Sequence, residues 1–209
     1  MSITQAEHDV SNNPRIPSRT RTGDALLFAR NFFRHPRMLG SIVPSSRFLI
    51  KQLLQPIDWH QARVIVEYGP GVGCITAEIL RRMRSDAILI AIELNPDFVS
   101  HLRSSLCDER LKVVEGSAEA VGEILERFGR GKANYIISGI PFSTLSAEIR
   151  ERILRNTSKA LEPGGVFLVF QFSTRVLEDL QRVFHYVRRK FEPLNVLPAH
   201  LFFCQLGAA

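Results

Sequence analysis

Cysteine is scarce in this chain, and long apolar runs are absent. The three cysteines, Cys74, Cys107 and Cys204, lie far apart in 209 residues and show no metal-ligand spacing. We therefore expect no metal site and interpret them as core or near-core thiols in a reducing compartment. The chain has no run of about 18 apolar residues, which argues against a membrane-spanning helix. The N-terminus also lacks the apolar centre of a signal peptide, so we expect a cytoplasmic protein.

Acidic residues are nearly missing from one segment near the N-terminus. Residues 15–51 contain eight Lys or Arg and one acid, Asp24, giving this segment a charge of +7 in a chain of net charge +6. This local basicity predicts an anionic partner. Residues 1–22 are polar and aperiodic, so we expect a disordered tail there. The remaining residues, 23–209, have the length and composition of a single globular domain.

The most informative stretch is a short apolar run followed by alternating glycines. Residues 64–66, Val-Ile-Val, favour a buried strand, and residues 75–84 favour a helix. Gly69, Gly71 and Gly73 lie between them. A strand, a glycine turn and a helix are typical of the first unit of a doubly wound α/β sheet, where a nucleotide-like ligand binds at the carboxyl end of the strand.

Two acidic residues indicate which ligand this turn binds. A dinucleotide fingerprint would have its third glycine where Cys74 stands. Glu67 ends the first strand, and its carboxylate would repel a pyrophosphate but suits a cationic amino group and a sulfonium. Glu93 ends the next apolar run, where an acid can accept hydrogen bonds from ribose hydroxyls. These features predict an S-adenosylmethionine site, the alternative being a glycine turn that only packs strand against helix.

Further residues of the predicted cofactor site lie at other element ends. Residues 112–115 predict a third strand, and the Gly116-Ser117-Ala118 turn after it can hold an adenine. Ser45 or Ser46 can cap a helix whose start borders the crevice, or can serve as a plain cap. The predicted cofactor-binding residues are Ser45, Ser46, Glu67, Tyr68, Gly69, Gly71, Gly73, Glu93, Leu94, Ser117, Ala118 and Ser138.

A fourth strand, Tyr135-Ile136-Ile137, leads into the predicted catalytic turn. Backbone carbonyls of a rigid turn can accept hydrogen bonds from an amine, and an aromatic face can hold an alkylammonium. The alternative is that Phe142 belongs to the core and Pro141 only stiffens the loop. The predicted catalytic residues are Ser138, Gly139, Ile140, Pro141 and Phe142.

The C-terminal third predicts the remaining strands. Residues 166–170 are the most strand-like run of the chain. Residues 191–197 and 201–205 predict two final strands joined by the link Pro198-Ala199-His200, which suits an antiparallel hairpin. The predicted fold is an α/β, seven-stranded Rossmann-like sheet, parallel with an antiparallel last strand, preceded by N-terminal amphipathic helices.

Residues 24–35 predict one of these amphipathic helices, with Asp24 as its N-cap. It could pack on its own domain, or it could lie on a membrane with aromatic side chains at the headgroups and arginines facing anionic lipid. The residues alone do not separate these two interpretations. The residues predicted to contact an anionic membrane and lipid are Phe28, Phe32, Phe33, Arg30, Arg34 and Arg37.

Several motifs together resemble the class I S-adenosylmethionine-dependent methyltransferases, in particular the bacterial phospholipid N-methyltransferases and their ornithine-lipid relatives. The resemblance rests on residues 40–47 (GSIVPSSR), 67–73 (EYGPGVG), Glu93 with 96–98 (PDF), 138–142 (SGIPF) and 171–173 (QFS).

This resemblance implies stepwise methylation of the amine of phosphatidylethanolamine, by an enzyme that is peripheral on the inner membrane face and docks through its N-terminal helix. Three alternatives remain open. An RNA adenine N6-methyltransferase would use a similar turn, but nucleic acid is an unlikely partner because no separate RNA-binding domain is expected. The others are a small-molecule amine methyltransferase and a non-enzymatic lipid-surface protein.

Overall fold

The structure is a computed structural model that describes residues 46–195 and 197–207. Its strands are β1 (Val64–Tyr68), β2 (Ile88–Glu93), β3 (Leu111–Glu115), β4 (Ala133–Ser138), β5 (Leu161–Gln171), β6 (Tyr186–Glu192) and β7 (Ala199–Gln205). Its α-helices are α1 (Arg47–Leu53), α2 (Cys74–Arg82), α3 (Pro96–Ser105), α4 (Val121–Arg127), α5 (Ala147–Ala160) and α6 (Leu177–Val183). Ala118–Ala120 and Phe142–Thr144 form short 3₁₀ helices.

The seven strands form one sheet in the order β3-β2-β1-β4-β5-β7-β6. The first five of these are parallel, and β7 runs antiparallel to both β5 and β6. The predicted seven-stranded sheet with an antiparallel last strand is therefore confirmed. The predicted helix at 24–35 lies outside the described residues, as does Ser45.

The central strands are apolar because helices cover both faces of the sheet. Every residue of β1 and β2 is buried. Successive side chains of a strand point to opposite faces. Accordingly, Val64 and Val66 join a core with side chains of α4, α5 and α6, whereas Ile65 joins a second core with side chains of α1 and α2. No helix in this described part is long and apolar enough to cross a bilayer.

The sequence-based boundaries of the last two strands are wrong. β6 spans Tyr186–Glu192, so it overlaps the predicted strand 191–197 by only two residues, and Ala199 and His200 belong to β7 rather than to the link. The physical reason is that β6 is an edge strand with mostly exposed, basic side chains, so it has no apolar run. The apolar residues that suggested a strand lie in the link itself.

The expectation for the cysteines holds only in part. Cys204 is buried and Cys74 is half-buried, but Cys107 is exposed. Cys107 follows the end of α3 in a surface connection, where the sequence offers no apolar periodicity to indicate exposure or burial.

Gly73 offers a test of how tightly the glycine turn packs on the fold. It is the N-cap of α2 with φ at +83°, and a Cβ there would lie 2.8 Å from Cδ2 of Leu102. We expect Gly73→Ala to lower the free energy of unfolding by about 1–3 kcal/mol, measured by urea denaturation. The matched control is Gly122→Ala in α4, where a Cβ meets nothing within 4 Å. It should raise stability by up to about 1 kcal/mol, and equal effects of the two changes would contradict this account.

Candidate active site

The order of the strands reverses at β1 and β4. The chain runs outward from β1 to β2 and β3, and then returns to place β4 on the other side of β1. In open sheets of this kind the crevice beyond the carboxyl ends at the reversal point binds ligands. The glycine turn follows β1 directly, and the turn at residues 138–142 follows β4. Both predicted loops therefore border one crevice.

The glycine turn has a backbone that other residues rarely adopt. Gly69, Gly71 and Gly73 have φ values of +63°, +56° and +83°. The amide of Gly69 donates to the carbonyl of Ile92 at 2.9 Å, which fixes the turn to the end of β2. Positive φ favours glycine at each position, and the missing side chains leave the backbone open to a ligand.

The two turns are in backbone contact. The amide of Gly139 donates to the carbonyl of Tyr68 at 2.9 Å. A Cβ on Gly139 would lie 3.0 Å from the carbonyl oxygen of Gly69, and a Cβ on Gly69 would lie 3.3 Å from Cγ1 of Ile140. No side chain fits between the loops, so the predicted cofactor turn and the predicted catalytic turn lie side by side.

Glu67 is buried at the carboxyl end of β1. It is 1% exposed, and its Oε2 accepts a 2.7 Å hydrogen bond from the Thr76 hydroxyl in α2. The pKa of Glu67 is raised to about 8, mainly by burial. The Thr76 hydrogen bond opposes this rise, and the neighbouring charge of Glu93 adds to it. Glu67 therefore holds its proton at neutral pH unless a positive charge lies beside it.

Glu93 joins the glycine turn to the start of α3. Its Oε2 accepts from the amide of Gly71 at 3.1 Å, and its Oε1 accepts from the amide of Asn95 at 2.9 Å. Burial raises the pKa of this carboxyl, and hydrogen bonds from these backbone amides oppose the rise. Each carboxylate oxygen keeps a second lone pair, which ribose hydroxyls can use.

The remaining predicted residues on this side differ in exposure. Leu94 is 66% exposed, next to Glu93, so a large apolar side chain borders the crevice without protein cover among the described residues. Ser117 caps the following 3₁₀ helix by accepting from the amide of Glu119 at 3.2 Å, and Ala118 is buried. The amide of Gly116 donates to the carbonyl of Glu93 at 3.0 Å, which keeps this turn beside β2.

Two predicted cofactor residues have other roles. The ring of Tyr68 is fully buried on the face opposite Glu67, and its hydroxyl lies 3.1 Å from that of Thr157 in α5. The Tyr68 side chain therefore packs in the core, and only its backbone borders the crevice, so a contact of Tyr68 with the cofactor stays a prediction for the backbone alone. Ser46 caps α1 and donates to the carbonyl of Leu194 at 2.9 Å, which supports the plain-cap interpretation.

Gln171, at the end of β5, holds the predicted catalytic turn at two points. Its Oε1 accepts from the amide of Phe142 at 3.1 Å, and its Nε2 donates to the carbonyl of Ile140 at 2.7 Å. Within the turn, the buried Ser138 hydroxyl accepts from the amide of Ile140 at 3.3 Å. Sequence reasoning gave Gln171 no role, although the residue belongs to the QFS motif that helped to identify the family.

Phe142 is a core residue in this structure. Its ring is fully buried and packs with residues of α5 and β5. The ring is not exposed to solvent, so the alternative interpretation, a packing role, fits better than a cation–π role. The fixed backbone of the turn remains the part that can contact an amine.

A histidine on the neighbouring strand lies opposite Gln171. His200 of β7 is the register partner of Gln171, and its Nδ1 is buried without a hydrogen-bond partner within residues 46–195 and 197–207. Burial, together with the charge of Arg189, lowers the pKa of His200. An uncharged imidazole therefore lies next to the residue that holds the turn.

The residues at this crevice fit S-adenosylmethionine. Two buried carboxyl groups, Glu67 and Glu93, flank a glycine turn whose backbone a ligand can approach closely. Two neighbouring buried acids are costly unless positive charge or hydrogen-bond donors compensate them. A ligand with an ammonium group, a sulfonium and ribose hydroxyls supplies both.

Comparison with known proteins agrees with this geometry. The family model "Methyltransferase small domain" matches residues 39–193. The chain is 34% identical over 184 residues to ornithine lipid N-methyltransferase of Singulisphaera acidiphila, covering 87% of this chain and 96% of that protein. It is also 33% identical over 73 residues to ribosomal RNA small subunit methyltransferase A of Laribacter hongkongensis, covering 35% of this chain and 27% of that one.

Solved structures share the fold at low identity. Precorrin-6y C5,15-methyltransferase from Geobacter metallireducens matches with a TM-score of 0.62 at 16% identity, over 76% of this chain and 88% of that chain. PigF with SAH matches with a TM-score of 0.56 at 20% identity, over 76% and 55% respectively. With the family match and the crevice geometry, the conclusion is that this chain belongs to the methyltransferase small domain family and is a class I methyltransferase whose cofactor is S-adenosylmethionine.

Proposed function

We propose that this enzyme methylates the headgroup amine of a membrane lipid, with phosphatidylethanolamine as the specific candidate, at an anionic membrane surface. The observation that carries the proposal is that a group of apolar side chains is exposed at the same end of the sheet as the crevice. The similarity to ornithine lipid N-methyltransferase, which extends over nearly that whole protein, supports a lipid amine as acceptor.

The exposed apolar group lies where β5 and β6 end and β7 begins, beside the crevice. Gln171 pairs with His200 and Glu192 pairs with Ala199, so the link between β6 and β7 is at the carboxyl end of β5. In this link Leu194 is 61% exposed and Leu197 is 44% exposed. Phe48, in the first turn of α1, is 46% exposed, and the α1 N-cap hydrogen-bonds to this link.

Basic side chains lie beside this apolar group. The guanidinium of Arg47 lies 5.6 Å from the ring centroid of Phe48, and Lys190 of β6 hydrogen-bonds to Gln52 in α1. Apolar side chains at headgroup level together with cations facing anionic lipid are typical of membrane-surface proteins. We therefore assign this surface, Phe48, Leu194 and Leu197 with Arg47, to an anionic bilayer. The separate prediction for the helix at 24–35 stays a prediction.

The proposed cofactor-holding groups are Glu67, Glu93, Leu94 and the glycine turn. S-Adenosylmethionine, when bound, supplies a methyl group that an unprotonated amine attacks at carbon, while the carbon–sulfur bond breaks and sulfur keeps the electron pair. Glu67 would face the cationic end and become charged there, and Glu93 would accept from the ribose. Leu94 would cover apolar parts of the nucleoside.

The proposed contribution of the second turn is orientation of the amine. The carbonyl of Ile140 is fixed by Gln171, and its second lone pair can accept a hydrogen bond from the acceptor amine. Holding two reactants at a fixed angle and distance is itself a large part of catalysis. Residues 138–142 include no histidine or carboxylate, so the proton of the amine passes to water, to the acceptor's own anionic group or to the neutral His200.

Glu67→Gln tests the proposed cationic contact. The pKa of Glu67 is about 8 in the folded protein, against an ordinary value of 4.5, so the contribution of Glu67 to stability falls as pH rises from about 4.5 to about 8. Glutamine can still accept from Thr76 but carries no charge. We expect the unfolding free energies of variant and wild type to agree below about pH 4, and the variant to be more stable by several kcal/mol, at most about 5, at pH 9.

The same variant should lose affinity for S-adenosylmethionine about tenfold or more, measured by calorimetry at pH 8. The control is Glu126→Gln on the exposed side of α4, which removes the same charge away from the crevice. It should change neither the pH dependence nor the affinity. Unaltered cofactor affinity in Glu67→Gln would remove Glu67 from the cationic contact.

A labelling experiment tests the acceptor. Incubation of the enzyme with methyl-labelled S-adenosylmethionine and a bacterial lipid extract should place the label on a lipid amine, identified by mass spectrometry. Gly71→Val should abolish labelling, because a β-branched residue is strained at the φ of +56° found here and its side chain would block the close approach of the cofactor to the backbone. Label in added RNA but not in lipid would favour the adenine alternative, and label in neither would reject lipid methylation.

A vesicle assay tests the proposed membrane surface. A variant with Phe48, Leu194 and Leu197 all changed to serine should sediment about tenfold less with vesicles of phosphatidylglycerol and phosphatidylethanolamine. Tyr186→Ser is the control, because Tyr186 is 60% exposed but lies at the opposite end of β6. Wild-type vesicle binding by the triple variant, with altered stability or self-association, would mean that these side chains contact protein instead of lipid.

A further inference from the structure

A second cavity adjoins the catalytic turn, apart from the cofactor crevice. It has a volume of about 240 Å³ and is lined by Phe142, Ser143, Arg150, Arg175 and Val176. Two of these five residues are arginines, and none is acidic. The cavity therefore presents positive charge directly next to the turn that is proposed to hold the amine.

Arg150, in α5, is held in place by the end of that turn. Its Nη1 donates to the carbonyls of Phe142 and Leu145, at 3.3 Å each. Its Nε lies 2.6 Å from Oδ2 of Asp179, an ion pair that lacks hydrogen-bond geometry. Its Nη2 has no partner in the part of the chain that the structure describes. This guanidinium is thus preorganised, with donors left for a ligand.

Arg175 carries the uncompensated charge of the cavity. It is exposed, and it makes no ion pair or hydrogen bond with any side chain among residues 46–195 and 197–207. The nearby acid, Asp179, already pairs with Arg150 and Arg182. Arg175 lines the cavity, and within the described part of the chain its guanidinium donors are held only by solvent, so these donors are available to bind an anion.

We infer that this cavity binds the anionic group of the acceptor headgroup, a phosphate or a carboxylate, while the acceptor amine lies at residues 138–142. The inference rests on the proposed function and adds the means by which the enzyme would recognise a zwitterion. In such headgroups the amine and the anion are a few bonds apart, and Ser143 is only three residues from Ile140, at most about 11 Å along the chain. Arginine suits both anions because its planar fork can bind two oxygens at once.

Binding of short-chain acceptors tests this inference without membrane docking or turnover. Dihexanoyl phosphatidylethanolamine supplies a phosphate, and a hexanoyl-acylated ornithine supplies a carboxylate. Each is titrated by calorimetry into protein saturated with S-adenosylhomocysteine. We expect Arg175→Gln to weaken binding of at least one of them about tenfold or more, and Arg175→Lys to weaken it less.

Two controls isolate the anion contact. Arg130→Gln removes the same charge from an exposed position before β4, at the amino-terminal end of the parallel strands and away from the crevice. This variant should bind the acceptors within about twofold of wild type. Hexylamine, which has no anion, should bind wild type and Arg175→Gln equally. The acceptor that depends on Arg175 identifies the anion as phosphate or carboxylate.

The outcomes separate this inference from the proposed function. Wild-type affinity of Arg175→Gln for both acceptors, or no binding of either acceptor to the wild type, would overturn the anion site. If both bind in an Arg175-dependent manner but neither receives a labelled methyl group, the anion site stands and lipid methylation is wrong.

Discussion

The contact between two backbone turns is the constraint on which the rest of the site depends. Gly139 donates to the carbonyl of Tyr68, and a side chain at Gly69 or Gly139 would collide with the opposite turn or crowd it. This contact is possible only at the reversal point, where β1 and β4 are neighbours. It places the predicted cofactor turn beside the predicted catalytic turn, so in the proposed reaction the sheet, and not flexible side chains, would set the spacing of the two reactants.

The buried acids at this contact have a cost that the fold alone does not explain. Glu67 could be replaced by a neutral residue with gain in stability at alkaline pH, because burial opposes its charge. Active sites commonly retain such unfavourable groups because the ligand compensates them. The fixed hydrogen bonds of Glu93 to the amides of Gly71 and Asn95 keep the second acid in place.

Much of this site is predictable from sequence, and the failures have physical causes. The glycine turn and its acids are local features: residues 64–73 suffice to predict the turn and Glu67, and the apolar run at 88–92 points to Glu93 at its end. Successive strand residues face opposite ways, so the side chains of Tyr68 and Glu67 do not share a pocket, a detail that the motif alone does not reveal. The role of Gln171 depends on its contact with Ile140, which is 31 residues earlier in the chain. The pairing of β4 with β5 brings the two together, and no local sequence pattern predicts it. Edge strand β6 is polar, and hydrophobic periodicity therefore misses it.

Acidic side chains lie on one side of the predicted catalytic turn, and basic side chains lie on the other. Glu67 and Glu93 lie on the β1–β2 side, whereas the turn borders Arg150 and Arg175 on the α5–α6 side. A cationic methyl donor suits the first side, and the anion of a zwitterionic headgroup suits the second. The acceptor amine would then lie at the turn, between the acids and the arginines. The opposite orientation of the headgroup would be unfavourable because it would bring the anion towards the acids. The same polarity that binds each reactant would therefore align them.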